Sequence, residues 1–443
     1  MIKQETYFAL STPSGRSATA TIRISGPNSK NTILKFFKNK NKNLQPRENH
    51  LVSLYNKNNN LIDKCIVVFY KNPGSFTGED MVEIHTHGNP VIIETISREL
   101  LALNVRPAEP GEFTRTALLN NKIDLIQAES LLSLINAKSM AGVKISNTNL
   151  AGALTRRFKK MRSLLIKTLG LLEYELDISE TDNQKDTSKQ ALISLKNVYK
   201  KATALISSTT SARINIDGAR IVVFGKPNVG KSSIFNALLS YQRSIVTEVA
   251  GTTRDSIREN LKIGKHNALL IDTAGIRSTK DKIEQLGIDR SKDEVKNADI
   301  LLNVVDSTND IHNKNQSNQI NVLNKIDLLS KKQKLAIKKI QTKTVFVSAK
   351  ENLGIDFLIK KIEKRLTTIS SYSQNESITS IRQEQLLIEI NKTILPIIET
   401  QETNIEIIAH HTKEAINHFD HLLGKTSVDD ILDGVFSNFC VGK

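Results

Sequence analysis

No stretch constrains this chain more than Gly225-Lys226-Pro227-Asn228-Val229-Gly230-Lys231-Ser232, which reads G-x-x-x-x-G-K-S. The apolar run Ile221-Val222-Val223-Phe224 predicts a buried strand before it, and Ser233-Ile234-Phe235-Asn236-Ala237-Leu238-Leu239 predicts an amphipathic helix after it. A glycine-rich loop between strand and helix is a phosphate cradle, because Gly225 and Gly230 let backbone N–H groups approach phosphate oxygens. The helix start adds partial positive charge, Lys231 a cation and Ser232 a hydroxyl for Mg2+. The alternative is a glycine turn that binds nothing; the strand-loop-helix context weighs against it.

Three further motifs follow, each expected at the C-terminal end of a strand, where open α/β sheets bind their ligands. Asp272-Thr273-Ala274-Gly275 follows Ala268-Leu269-Leu270-Ile271; Asp272 can hold Mg2+ through water, and the Gly275 N–H can meet a γ-phosphate. Asn324-Lys325-Ile326-Asp327 follows Ile320-Asn321-Val322-Leu323. The Asp327 carboxylate accepts both N–H groups of guanine's Watson-Crick edge, and because adenine has no matching pair the discrimination is about 10⁴ or more. Ser348-Ala349-Lys350, after Thr344-Val345-Phe346-Val347, completes the base pocket, with the Ala349 N–H expected on the guanine carbonyl. Four motifs in this order specify a GTPase domain.

Between the first two lies Thr247-Glu248-Val249-Ala250-Gly251-Thr252-Thr253-Arg254-Asp255, polar and without helical period. It reads as the loop ordered by γ-phosphate and Mg2+, Thr253 being the hydroxyl ligand, with a plain surface loop as the alternative. Hydrolysis needs an oriented water, yet the residue after the D-x-x-G motif is Ile276, which cannot orient one. Glu284 is the nearest acidic candidate beyond Asp281, although spacing alone favours an ordinary solvent-facing glutamate. No arginine finger is identifiable.

The 443 residues suffice for about three domains. A net charge of +16 predicts an anionic partner, RNA or DNA before a lipid surface, although Lys38-Asn39-Lys40-Asn41-Lys42-Asn43 is also what a solvated loop looks like. Two cysteines, Cys65 and Cys440, cannot support a disulfide framework, and no apolar run approaches the ~20 residues that span a bilayer. The expectation is a cytoplasmic protein without membrane contact.

Residues 1–118 read as a mixed α/β domain, with strands at 18–24 and 66–70 and a helix at 90–103. Residues 119–212 carry long helical periodicity, 213–370 alternate strands and helices as in a doubly wound parallel sheet, and 371–443 return to helix. A lone C-terminal helix pair buries little, so the two helical stretches are expected to pack together with the GTPase domain inserted between them. In the first domain Glu83, His85 and His87 alternate along a strand and face one side, which suits a metal or a polar ligand. No cysteine is adjacent and no fourth ligand is apparent. The final Phe439-Cys440-Val441-Gly442-Lys443 reads by default as a frayed tail.

Over essentially its whole length the sequence resembles the family of tRNA modification GTPases MnmE, also called TrmE. The resemblance rests on Arg23-Ile24-Ser25-Gly26, Ser75-Phe76-Thr77-Gly78-Glu79-Asp80, Pro110-Gly111-Glu112-Phe113-Thr114, Lys122-Ile123-Asp124-Leu125, the GTPase motifs with Gly251-Thr252-Thr253-Arg254-Asp255, and the terminal Cys-x-Gly-Lys. It implies an N-terminal domain that dimerises and binds a tetrahydrofolate one-carbon carrier, in the 5,10-methylene or 5-formyl form. Arg23, Glu83 and Lys122 match the folate contacts, and Lys443 would reach back to them. It further implies a complex with the FAD-holding flavoprotein MnmG, which together with this protein adds an aminomethyl or carboxymethylaminomethyl group to carbon 5 of the tRNA wobble uridine. The site residues implied for GTP are Asn228 to Ser233, Thr247 to Thr253, Asp272 to Gly275, Asn324, Lys325, Asp327 and Ser348 to Lys350. K+ would stand in for an arginine finger, held by Asn228, Thr247, Val249 and Thr252, with Mg2+ on Ser232 and Thr253. Glu284 matches the family's water-orienting glutamate, beside Lys231 and Thr253 as catalytic groups.

Three departures stand out. Gly15-Arg16-Ser17-Ala18 replaces a Gly-Arg-Gly-Gly loop, His87-Gly88-Asn89 replaces His-Gly-Gly, and Ser307 to Ile320 is short where the family has room for a helix. A trimmed GTPase domain is the expectation there. Two rivals remain at this level: a ribosome-assembly GTPase, which shares the guanine motifs, and a non-hydrolysing RNA-binding scaffold.

Overall fold

Apolar residues, alternating in some strands and consecutive in others, build the first sheet in the computed structural model, which describes residues 5–39, 43–177, 184–243, 258–273, 293–306, 317–329, 344–371, 376–425, 435–436, 439 and 442. Six strands, β1 (Tyr7–Leu10), β2 (Ser17–Ser25), β3 (Asn49–Tyr55), β4 (Leu61–Tyr70), β5 (Met81–Gly88) and β6 (Arg106–Pro107), lie in the order β3-β4-β5-β2-β1-β6. Neighbours are antiparallel except the parallel pair β1 and β6. Period two shows in β5, where Val82 and Ile84 are buried while Glu83, His85 and His87 face outward. The predicted strands at 18–24 and 66–70 lie within β2 and β4, and the helix expected at 90–103 is Pro90–Ala102. That helix starts where Asn89 accepts a hydrogen bond from the Val91 N–H with Pro90 in its first turn, and it buries Ile96 and Leu100.

The chain divides into two compact units, one made of Met1–Leu132, Thr155–Ser194 and Pro396–Lys443, the other of Ser133–Leu154 and Leu195–Leu395. Helices that precede and follow residues 219–346 in the chain meet inside each. In the first, the Phe158 ring on helix Ala153–Asp177 packs 6.4 Å from Phe419 on helix Ile405–Leu422. Arg162 there grips Asp420 through two hydrogen bonds of 2.8 Å. A bidentate pair fixes the rotation of one helix against the other as well as their spacing. In the second, Asn149 Nδ2 donates to the Ser377 carbonyl at 2.8 Å, and Asn391 Nδ2 to Thr203 Oγ1 at 3.0 Å.

The second sheet contains β7 (Ala219–Phe224), β8 (Arg258–Ile263), β9 (His266–Asp272), β10 (Ile300–Val305), β11 (Gln319–Leu323) and β12 (Thr344–Phe346), in the order β12-β11-β10-β7-β9-β8. Five strands run parallel, and β8 is an antiparallel edge on β9. The near-continuous burial of Ile221, Val222 and Val223 is what a strand covered on both faces requires. Helix Lys231–Arg243 follows β7, and helix Ile355–Ser370 adds Leu358, Ile362 and Leu366 to the same core. The chain leaves β7 toward β9 on one side and later leaves β10 toward β11 on the other, so the topological switch point lies between β7 and β10, above their C-terminal ends. The shortened segment 307–320 falls mostly on residues 307–316, outside the described residues.

Candidate functional site: a phosphate cradle joined to a base-reading loop

Strand β7 ends at Phe224 and the chain turns into helix Lys231–Arg243 through two glycines whose conformations exclude side chains. Gly225 has φ 151° and a Cβ there would collide with the Val304 carbonyl; Gly230 has φ 92° and a Cβ would strike the Asn324 amide. Asn228 also sits in the left-handed region, at φ 63°. Lys231 Nζ donates to the Lys226 carbonyl at 2.8 Å, crossing the loop where phosphates would lie. Ser232 Oγ donates to Asp272 Oδ2 at 2.8 Å, so the hydroxyl and the carboxylate expected to serve Mg2+ meet. Two hard oxygen donors, one from the helix start and one from the end of β9, suit that ion, which keeps most of its coordination shell for water and phosphate. Thr273 Oγ1 donates to the Val223 carbonyl at 2.9 Å, anchoring the end of β9 to β7.

Base-reading residues are tied directly to the cradle. Asn324 Nδ2 donates to the Val229 carbonyl at 3.0 Å while its Oδ1 accepts the Ala349 N–H at 3.1 Å. One buried amide therefore holds the phosphate loop and the Ser348-Ala349-Lys350 loop together. The Ala349 N–H, expected on the guanine carbonyl, donates here to the Asn324 amide oxygen at the neighbouring strand end. In this geometry Ala349 orders the pocket wall. Ser348 closes the turn beyond it by exchanging backbone hydrogen bonds with Leu353 at 2.9 and 3.0 Å. Lys325, at φ 61°, sends its Nζ to the Asn228 carbonyl at 2.7 Å and to Asp306 Oδ2 at 2.8 Å. Asp327 lies one residue into the short 3-10 helix Ile326–Leu328. Asp306, the residue after β10, was not singled out from the sequence; only the parallel register of β10 and β11 brings it beside Lys325.

Thr247, Glu248, Val249, Ala250, Gly251, Thr252 and Thr253, with Ala274, Gly275 and Glu284, lie outside the described residues. The expected switch loop, three of the four residues expected on K+, and the expected water-orienting Glu284 thus fall outside what the structure describes.

In the first unit the matched motifs interlock. Ser25 Oγ lies 2.8 Å from Thr77 Oγ1 and 2.9 Å from Glu79 Oε2, and the Asn120 amide donates to the Thr77 carbonyl at 2.7 Å. Lys122 Nζ donates to the Pro73 carbonyl at 2.9 Å. Arg23 and Glu83 are directly opposite across β2 and β5, with Arg23 Nε 2.8 Å from Glu83 Oε1. His85 Nε2 lies 3.5 Å from Glu83 Oε2, the Tyr70 hydroxyl donates to the same oxygen at 3.4 Å, and Thr21 Oγ1 meets His85 Nδ1 at 3.0 Å. Tyr70 and Thr21 were missed because they join the group only through strand register, which no local motif signals. His87 turns elsewhere, its Nδ1 2.8 Å from Asp63 Oδ1. The metal reading of Glu83, His85 and His87 fails accordingly: no group of three such side chains among the described residues is placed to hold a metal. Sharing a strand face is not convergence, since alternate residues lie ~7 Å apart.

His85 hydrogen bonding, aided by the Arg23 guanidinium, holds the Glu83 carboxyl at about 2, below its ordinary 4.5, against the opposing effect of burial. A carboxylate whose folded value is depressed stabilises the fold fully above its unfolded value and loses that contribution as pH falls through 4.5 toward 2. Glu83→Gln is therefore expected to flatten the loss of stability between those pH values, read as denaturation midpoint against pH. A variant curve parallel to the wild type would contradict it.

The described residues nearest the C-terminus, Phe436, Phe439 and Gly442, are seated against the first unit. Phe436 and Phe439 join Ala128 in a buried cluster, and the Ser11 hydroxyl donates to the Gly442 carbonyl at 3.1 Å. At φ 99°, with a Cβ that would strike the Leu10 carbonyl, Gly442 is a position for glycine. Ser11 in turn donates its N–H to the Thr21 carbonyl, and Thr21 faces His85, so Gly442 is tied to the strands that carry Arg23 and Glu83. Cys440 and Lys443 lie outside the described residues.

Comparison with known proteins covers the whole chain. Residues 6–122 match the family described as GTP-binding protein TrmE N-terminus, and residues 125–440 match the MnmE helical domain. The chain is similar to the tRNA modification GTPase MnmE of Fervidobacterium nodosum, 37% identical over 456 residues, covering 100% of this chain and 98% of that protein. It is similar to the protein of the same name from Aquifex aeolicus, 36% identical over 451 residues, with 99% and 100% covered. The Thermotoga maritima protein of that name is 35% identical over 456 residues, again with 99% and 100% covered.

Proposed function

The chain belongs to the MnmE family of tRNA modification GTPases, and from that membership we propose that it hydrolyses GTP to drive wobble-uridine modification in tRNA. The observation that carries the reading is the hydrogen-bonded union of phosphate cradle and base reader through Asn324 and Lys325, with Ser232 on Asp272. Bound Mg2+ would neutralise phosphate charge from Ser232, Asp272 and Thr253. Lys231 would hold the β- and γ-phosphate oxygens, and Asp327 would select guanine. Glu284 would orient water. K+ on Asn228, Thr247, Val249 and Thr252 would supply the charge an arginine finger supplies elsewhere.

The finer reading extends to the first unit. Arg23 and Glu83, with Lys122 and Lys443, would bind a tetrahydrofolate one-carbon carrier, Glu83 accepting from the pterin's N–H groups as an ionised carboxylate. The protein would dimerise through residues 1–118 and work in the cytoplasm with an FAD-holding MnmG flavoprotein. The domain limits 119–212, 213–370 and 371–443 belong to the same proposal. The rival, a ribosome-assembly GTPase, has no use for a folate pocket. Calorimetry of the full-length protein with 5-formyltetrahydrofolate should show binding that Glu83→Gln weakens at least tenfold, while GTP binding stays unchanged. No heat above buffer would remove the folate assignment and favour the rival.

A further inference from the structure

Helix Ala153–Asp177 carries its charges in the order its own dipole disfavours. Between Ala153 and Lys167 it has six Lys and Arg and no Asp or Glu; between Thr168 and Asp177 it has Glu173, Glu175 and Asp177 and no base. Backbone dipoles place partial positive charge at a helix N-terminus and partial negative charge at its C-terminus, so the stable order is acids first and bases last. The reversed order calls for another cause.

At 100° per residue, Arg156, Lys159, Lys160 and Lys167 fall within about 100° of arc, spread over ~16 Å of helix, opposite the buried Phe158, Met161, Leu165 and Leu172. Arg162 lies off this arc and is committed to Asp420, whereas Lys159, Lys160 and Lys167 stand exposed. The same arc runs on to Tyr174, which is 65% exposed. A row of lysines ending on an open aromatic face fits a phosphodiester backbone with an unpaired base at one end. The carboxylates around the ring, Glu173, Glu175 and Asp177, oppose an anionic lipid surface or an acidic peptide there, whereas a base carries no charge for them to repel.

We propose that this stripe is an RNA-binding surface, with phosphates along Lys159, Lys160 and Lys167 and an unpaired base stacked on Tyr174. It deepens the tRNA reading above and rests on it. The acids of the last turns confine the phosphates to the helix up to Lys167, which puts the unpaired base at the Tyr174 end.

The test is binding of purified tRNA to the full-length protein between about 50 and 200 mM salt. Replacing Lys159, Lys160 and Lys167 together by Gln should weaken binding roughly tenfold or more and reduce the slope of log affinity against log salt by about 2 to 3. Tyr174→Ala should weaken it roughly fivefold or more with the slope unchanged. A control triple, Lys265, Lys360 and Lys364 to Gln, removes the same charge from exposed positions on the other unit and should leave the slope alone. Unchanged far-ultraviolet circular dichroism and an unchanged melting midpoint of the full-length protein establish that each variant is folded. If the wild type binds tRNA but the stripe triple keeps its slope, or the control lowers it equally, the stripe assignment is wrong. A stripe triple that loses binding only to vesicles of anionic lipid would likewise overturn it. A wild type that binds no tRNA would overturn the functional reading itself.

Discussion

Asp327→Asn is expected to convert a guanine site into a xanthine site, shifting the ratio of the two affinities by about 10⁴. Guanine presents two donors side by side on its Watson-Crick edge, and only an acceptor-only carboxylate meets both. An asparagine turns one acceptor into a donor facing a donor, which leaves both unpaired in a site closed by Asn324, Ala349 and Ser348. Xanthine carries a carbonyl where guanine carries its amino group, so the same asparagine pairs with it fully. The backbone should hold its course, because the Lys325 ammonium ties the loop to the Asn228 carbonyl and to Asp306. Competition of fluorescent GDP by GDP and by xanthosine diphosphate reads the result. A variant that loses both nucleotides equally would mean that Asp327 holds the loop together instead of reading the base.

Lys231→Ala should lower the GTP turnover number by about 10² to 10³. The ammonium sits across the cradle on the Lys226 carbonyl, a neutral partner that it can leave for a phosphate oxygen. Removing it takes away the fixed positive charge nearest the transferred group, while Gly225, Gly230 and the helix N-terminus keep their backbone donors. GDP should therefore bind with a smaller loss than turnover suffers. Equal losses in both would place the lysine in ground-state binding alone.

Much of this was legible because the nucleotide motifs are local. A strand, a glycine pair and a helix start can be read from a dozen residues, and their order along the chain implies the parallel sheet. Register was not legible. Asp306 beside Lys325, Tyr70 and Thr21 beside the Glu83 group, and the union of Ala349 with Asn324 all depend on which residues of neighbouring strands stand opposite. His87 misled for the converse reason: it shares a face with Glu83 and His85, yet Asp63 on the adjacent strand offers it a closer partner. The tail misled because a glycine and a lysine at a chain end carry no periodicity, whereas the left-handed Gly442 against Leu10 is a tertiary contact.

The measurement that tests the central claim most directly is nucleoside composition of tRNA from cells lacking this protein, complemented with the wild type or with Lys231→Ala. The account predicts that carbon-5 substituted wobble uridines disappear in the deletion, return with the wild type and fail to return with the variant. Unchanged wobble nucleosides in the deletion, or full restoration by a variant that no longer turns over GTP, would contradict it.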